Sequence, residues 1–517
     1  MKMKKYLSTH IVVFLFISTA VLLQSCDKGF EDLNTNPDAS GKINPEYVFS
    51  KAQIDAARNQ AYGTPGTMQY TTTFNEVAGF GSKYIFLQGN APYVVFNNGY
   101  VREINEMGEV IRAIKDDPEL INELSAARIW RAYCFHLITD QYGDIPYSEA
   151  GAGYTKGIYK PKYDAQEDIY ADMLKELEEA ALSFDPSKKT FGNSDLLYGG
   201  NIDSWKKLSY SLMLRLGMRL TKVDANLAES WVKKAIAGGV ITEDADIAAI
   251  TSYSNGQDIN KNPIANSWLS EDYIRANGRD NQEGGKYQKN FIDYLKANKD
   301  PRLGVISVVW VENGTGYKAD TAFDLQKGMP SNFINKPADF GDYSEPNPNT
   351  MLKYEAPMLL VTNAETNLLL AEAAIRGWYT GNASDLFEKG TGAGLRQWSL
   401  YGSAGVIDQT KIDQYIAAHP FNESGSFEEK MDQIHTQLWV ALFPNSMEAF
   451  SNWRRTGYPQ LVPNVVPGNV TGGQIFRRMI YPPSEVNLNK EQLDIVIARQ
   501  GPNTFLTRIW WDVETAK

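Results

Sequence analysis

Residues 120–147 read LINELSAARIWRAYCFHLITDQYGDIPY, and their spacing decides the fold. Leu120, Leu124, Ala127, Trp130 or Arg131, Cys134 and Leu137 recur at i, i+4, i+7, i+10/11, i+14 and i+17, one apolar stripe at helical period. The stripe predicts a helix ending near Tyr142, where Gly143 can take the left-handed conformation that stops it. Pro146 then fixes a turn, and Asp140 and Asp144 can accept backbone N–H bonds there. Inside such a stripe Cys134 reads as a small hydrophobe rather than a nucleophile.

The same period continues downstream. In Asp164–Phe184, Ile169, Met173, Leu174, Leu177 and Ala180/Ala181 define a core face, and Glu176, Glu178 and Glu179 a wet one. Asp203–Leu220 starts at a plausible cap, Asp203-Ser204, and Asn226–Ala237 returns after a short turn as its antiparallel partner. Thr362–Trp378 has Asn363 to cap it and Gly377 to end it, with Asp385–Leu400 as its partner. Helix, short turn, helix is the pattern of tetratricopeptide-like (TPR-like) repeats of about 34 residues. No stretch reproduces the repeat signature. The expected fold is therefore mainly α: an irregular TPR-like scaffold of helical pairs with long loop insertions and a few short strands, the strands at Val305–Val311 and Tyr93–Phe96.

The insertions are Tyr62–Asn98, Gly151–Tyr163, Thr251–Lys289, Asn313–Asn349 and Pro459–Pro483, all rich in Tyr, Trp, Asn, Gly and Pro. Aperiodic segments of that length with frequent aromatics mark binding loops. Flat Tyr and Trp faces stack on sugar rings or peptide side chains, while Asn, Gln, Asp and Arg supply directional bonds. The ligand candidates are Asn75, Glu76, Tyr84, Phe86, Tyr93, Trp268 and Tyr273. The alternative for each aromatic is burial, because helical arrays also use aromatics in their cores.

At the N-terminus, Lys2, Lys4 and Lys5 precede an apolar run from Ile11 to Leu23 and then Cys26. Thirteen helical residues reach roughly 20 Å, short of the roughly 30 Å hydrocarbon core, so this run is read as a cleaved signal rather than a span. It looks like a lipoprotein signal, with Cys26 as the lipidated residue. Gln24 departs from the strict pattern, where a small or β-branched residue is commoner. The alternative is an ordinary secreted protein. The expected organisation is a signal peptide over 1–25, a lipidated tether over 26–44, and a single helical domain over 45–517.

Removing residues 1–25 takes away three lysines and no acid, moving the formal charge from −11 to −14. Nucleic acid is excluded as a partner, because no basic footprint exists to replace condensed counterions. With only Cys26 and Cys134, no intramolecular disulfide forms once Cys26 is lipidated. His136, His419 and His435 form no i, i+4 zinc pair, so no metal centre and no cofactor are expected. Asp258, Asn260 and Asn262 begin like a calcium loop, but Pro263 replaces its glycine and Leu269 its bidentate glutamate. Gly390-Thr391-Gly392-Ala393-Gly394 could cradle phosphate only between a strand and a helix; with helices on both sides it reads as a linker. No G-x-S-x-G elbow occurs.

Several segments together resemble the SusD/RagB family of nutrient-binding outer-membrane lipoproteins of Bacteroidetes, in its SusD-like branch. They are CDKGFEDL (Cys26–Leu33) with Asn36-Pro37, DQYGDIPY (Asp140–Tyr147), DPRL (Asp300–Leu303), the helix from Asn363-Ala364-Glu365 to Ala371-Glu372-Ala373, NWRRTG (Asn452–Gly457) and RMIYPPSE (Arg478–Glu485). The resemblance implies a helical, noncatalytic cell-surface lipoprotein, held in the outer membrane by its lipid anchor. It would capture an oligomeric nutrient, an oligosaccharide or a peptide, and deliver it to a SusC-like TonB-dependent transporter. Asp27, Glu31 and Asp32 resemble the export signal that sends such proteins to the cell surface, with Lys28 and Gly29 interrupting the acidic run. Arg454 and Arg455, beside Trp453 in an acidic chain, are expected to make internal forked pairs with carboxylates rather than grip an anion. Glu365 and Glu372, seven apart on one face, are expected to be the other side of such pairs. The rival reading is a lipid-anchored glycoside hydrolase, which needs two carboxylates about 5 to 10 Å apart; a third, a purely structural adaptor, leaves the aromatic loops unexplained.

Overall fold

Helices carry the chain in the computed structural model, which describes residues 43–63, 66–75, 81–86, 92–270 and 284–514. In chain order the main ones are α1 (Pro45–Ala61), α2 (Val94–Val101), α3 (Glu103–Ile114), α4 (Ile121–Tyr142), α5 (Gln166–Ser183), α6 (Ile202–Arg219), α7 (Ala225–Gly238), α8 (Pro263–Ser270) and α9 (Lys289–Ala297). After a region of short strands follow α10 (Asn363–Ile375), α11 (Ala383–Arg396), α12 (Gln409–Ala418), α13 (Phe427–Leu442), α14 (Ser446–Thr456) and α15 (Lys490–Gln500). Successive helices pack on one another: α3 on α4, α4 on α5, α5 on α6, α6 on α7, α10 on α11 and α13 on α14. The architecture is the expected one, mainly α with irregular TPR-like pairs and long insertions. Pro45–Lys517 forms one compact unit, distinct from Met1–Asn44. Cys26, the signal and nearly all of the tether lie outside the described residues.

α4 is the centre of this unit. Its apolar stripe is present, yet Glu123, His136, Asp140 and Gln141 are buried as well, because α3, α5, α6 and α14 surround it. A helix enclosed on all sides must satisfy its polar residues internally. Gly143 ends it at φ +84°, donating its N–H to the Thr139 carbonyl at 2.7 Å. A Cβ at this position would fall 1.8 Å from Gln500 Oε1, so glycine is required twice over.

Two caps differ from expectation by one or two residues. α6 is capped by Asn201, whose Oδ1 accepts the Ser204 N–H at 3.0 Å, and not from Asp203-Ser204. α10 is capped by Thr362 through the Glu365 N–H at 3.2 Å, while Asn363 donates to Asp244 Oδ1 at 2.8 Å. In each case the residue in extended conformation just before the first turn carries the cap.

The strands are short: β1 (Thr71–Thr72), β2 (Ile145–Pro146), β3 (Tyr163–Asp164), β4 (Ala248–Ile250), β5 (Lys286–Tyr287), β6 (Ser307–Asn313), β7 (Gly316–Asp320), β8 (Glu345–Pro346) and β9 (Met358–Val361). All pair antiparallel, as β1-β5, β2-β3, β4-β9 and the three-stranded β7-β6-β8. The strand expected at 305–311 is β6, shifted by two residues. The one expected at Tyr93–Phe96 is the start of α2, which buries Val95, Phe96 and Gly99 at helical spacing and sets Gly99 against Ile138 of α4.

Gly390–Gly394 is no linker. It lies inside α11 and is buried, bringing the backbone of α11 against Leu368 of α10 and Ala441 of α13.

Candidate ligand-binding surface

Four of the five insertions converge on one face. β1 from the first pairs β5 from the third, and Gln288 bridges Met329 of the fourth. Asn464 of the last donates its Nδ2 to the carbonyls of Ser82 at 3.1 Å and Ser331 at 2.9 Å, while Asn469 Nδ2 reaches Lys83 O at 3.1 Å. Beneath them lies a small separate core of Met329, Phe340 and Tyr343, flanked by Phe74 and Phe333. Buried Lys286 pairs with Glu345, whose Oε2 also accepts Trp310 Nε1 at 2.8 Å. These bonds tie loops without helical period into a fixed surface.

The expected ligand residues fall on this region unevenly. Tyr84 is only 1% exposed, its ring against Phe476, and Trp268 is buried edge-on to Tyr287. Neither presents an open ring face; both anchor their insertions. Phe86 is half-buried between Tyr93 and Phe505, with centroids 6.4 and 5.8 Å away, and Tyr93 is likewise half-exposed. Asn75, half-buried, accepts Thr73 Oγ1 at 3.2 Å. Glu76 and Tyr273 lie outside the described residues.

A recess that sequence reasoning missed borders the third insertion. It encloses about 470 Å³ between α1, the Asn193–Gly199 turn and residues 250–263. Tyr253 stands at it with 58% of its surface exposed, beside Arg58, Asn193, Asn260 and Lys261. Its loop is held by Tyr253 N–H to Asn260 O at 2.8 Å and by Arg58 Nη1 to Asp258 O at 3.0 Å. Asp195 fixes the floor, accepting Gln53 Nε2 at 2.9 Å and Trp205 Nε1 at 2.7 Å. The Asp258, Asn260 and Asn262 series has other work: Asn262 Oδ1 caps α8 through the N–H groups of Ile264 and Ala265, and Asp258 pairs with Lys261 at 2.8 Å. An exposed ring beside amides and a guanidinium suits a polyhydroxylated ligand. The available signal was Tyr253 itself, an aromatic in a loop of Ser, Asn and Gly.

The carboxylates that could suggest catalysis are engaged in the core. Arg455 forks onto Glu372 at 2.7 and 2.6 Å, and Arg215 onto Glu365 at 2.6 and 2.7 Å, as expected. Arg454 departs from that expectation. It donates to the carbonyls of Arg477 and Asp140 and stacks over Phe450 and Trp511, and burial pushes its guanidinium down to about 9. Asp144 accepts the Gln166 N–H at 2.8 Å and Arg499 Nε at 2.6 Å, whereas Asp140 accepts the Tyr170 hydroxyl and faces Arg219. His136, Asp140 and Glu448 offer donor atoms within 4.8 Å of one another, the one such group among the described residues. Arg219 pairs with both acids, and Arg215, forked onto Glu365, also lies 3.4 Å from Glu448, so guanidinium groups already occupy this cluster. Burial and the nearby Arg215 lower His136 to about 4, keeping it neutral. Cys134 is buried, which raises its thiol well above the usual range.

No helix among the described residues is long and apolar enough to cross a membrane. The SusD-like_2 family, described as starch-binding associating with outer membrane, matches residues 37–482. No curated protein matches the chain. Among solved structures, one titled a chitin-binding protein shares 30% identity over 91% of this chain and all of its own, with a TM-score of 0.79. A Bacteroidetes SusD-like protein, AC2a, shares 28% identity over 91% of this chain and all of its own, with a TM-score of 0.80. A chitin-binding SusD homolog from Flavobacterium johnsoniae has the same fold, with 24% identity over 90% of this chain and 98% of its own and a TM-score of 0.72.

Proposed function

The chain belongs to the SusD-like family, and from that premise we propose that it is a lipid-anchored outer-membrane receptor. It binds an oligosaccharide and delivers it, uncleaved, to a SusC-like TonB-dependent transporter. Residues 1–25 are its export signal, 26–44 its lipidated tether and 45–517 its binding domain. The observation that carries the reading is the Tyr253 recess, whose volume and mixture of ring, amide and guanidinium fit a short run of sugar units. The 30%-identical structure titled a chitin-binding protein makes β-linked N-acetylglucosamine the first glycan to try. Support for a protein partner comes from the loop face, which exposes Ile334, Val462, Val465 and Val470.

Calorimetric titration of the purified chain with chitohexaose, maltoheptaose and a mixed peptide digest tests this, with chromatography of each mixture afterwards. Saturable binding of one glycan without shorter products is expected, and Tyr253→Ala should weaken it about tenfold, the scale of one lost stacking face. Shortened glycans would assign the chain to the hydrolases instead. Binding of peptides alone would change the ligand class but keep the receptor.

A further inference from the structure

We propose that the chain carries a second carbohydrate-binding site, a furrow around the C-terminal end of α12, on elements other than those of the Tyr253 recess. The ligand class rests on the oligosaccharide reading above; the furrow itself rests on geometry. A hollow of about 660 Å³ opens between the Ala297–Val305 turn, Thr321–Phe323 and α12. A second, of about 440 Å³, lies between α9, Phe387 and α13. The two hollows adjoin, sharing Asn298, Ala418 and His419 as a common lip.

Its lining is amphiphilic. Tyr415 is buried behind the half-exposed His419 ring, their centroids 4.3 Å apart and their planes tilted, and Phe323 and Val406 stand exposed in the same lining. Between them lie the amides of Asn298 and Gln414. Lys299 and Lys411 share the lining with the acids Asp408, Glu429 and Asp432, so the furrow lacks the concentrated positive charge a phosphate ligand requires. The accessible rings of Phe323 and His419 beside neutral amides suit the faces and hydroxyl edges of a glycan chain.

The walls are already in place. Tyr415 is held by Gln437 Nε2 on its hydroxyl at 3.0 Å, and His419 Nδ1 faces the Tyr415 carbonyl at 2.8 Å. Asp300 is fixed by Arg302 Nε at 2.9 Å. Such groups lose little freedom when a ligand arrives. Lys299 adds a second observation: it occupies the left-handed position that ends α9, at φ +50°, with the Asp300 N–H closing onto Leu295 O at 2.8 Å. Glycine would sit there without strain, so the position carries a long cationic side chain to the furrow's edge against the backbone's preference.

Chitohexaose titrations of the full chain and three variants test the furrow, each variant first shown to melt like the wild type. Tyr253→Ala should weaken one binding event about tenfold and leave another unchanged. The pair Phe323→Ala and His419→Ala should do the reverse, weakening the remaining event about tenfold. Ala418→Trp, which places an indole in the furrow from an exposed position, should match the pair and serves if the double variant misfolds. A wild type with only one binding event, weakened by Tyr253→Ala, or binding indifferent to both furrow variants, overturns the proposal while sparing the receptor. No binding of either chitohexaose or maltoheptaose by the wild type overturns the oligosaccharide reading itself, and the furrow with it.

Discussion

Glu372 is fully buried, yet it stays ionised, because it sits among three basic side chains. Arg455 forks onto it, Arg376 Nε reaches it at 2.8 Å and His435 Nε2 lies 3.0 Å away. Burial alone would raise its carboxyl; Arg455, then Arg376 and His435, hold it well below the usual range. Glu103 is the opposite case. Burial lifts it from 4.5 to about 7, with Asp55 and Glu106 adding to the rise against the lowering effect of Asn59, whose Nδ2 donates to it at 2.7 Å. Between pH 4.5 and 7 the folded chain holds this proton and the unfolded chain has released it. Stability from this group therefore falls as pH rises through that window and levels off above it. Glu103→Gln mimics the protonated form. It should leave stability near pH 4 unchanged and raise it near pH 8 by an amount on the order of 3 kcal/mol, as read by urea unfolding. An equal effect at both pH values would mean that Glu103 acts through packing and not through charge.

At the scale of elements, close approach decides what a helix tolerates. In α11 a Cβ on Gly390 would meet Leu368 Cγ at 2.7 Å and the Leu368 N at 3.1 Å. In α3 a Cβ on Gly108 would meet only the far end of Arg112, at 3.3 Å. Both substitutions to Ala gain the same helix propensity, about 1 kcal/mol. Gly108→Ala should keep that gain, whereas Gly390→Ala should lose it to overpacking and come out destabilised by about 1 kcal/mol. Thermal melting of the two variants checks the opposite signs. The same contrast explains what was legible in the sequence. α4, α5, α6, α7 and α10 announce themselves by period, and their ends fall within two residues of expectation except that α10 stops three residues before Trp378. The glycines of α11 read as a break because propensity speaks for one helix, while the reason for them lies on α10 and α13. α2 was hidden for a related cause, since Val94-Val95-Phe96 favours a strand until Ile138 claims its face. Among the candidate residues, composition pointed to the insertions but could not tell Tyr84, turned into the core, from Tyr253, turned outward. That difference depends on which loop lies over which, and loops have no period to reveal it.

For the whole molecule, the question is what keeps it at a membrane. The chain beyond residue 25 has a formal charge of −14, so anionic lipid repels it. No described helix is long and apolar enough to cross the bilayer. If Cys26 is acylated, each buried methylene adds about 0.8 kcal/mol, and two or more chains anchor stably where one does not. Among the described residues, the core and its ion pairs lie within Pro45–Lys517. Cys26→Ala should therefore move the protein from the membrane to the soluble fraction while its circular dichroism and melting temperature stay those of the wild-type body. Fractionation is best done in cells lacking the proposed transporter partner, because a body docked on such a barrel would sediment with membranes whether or not it carried lipid. Protein that stays with the membrane under that condition would show that something other than Cys26 holds it there.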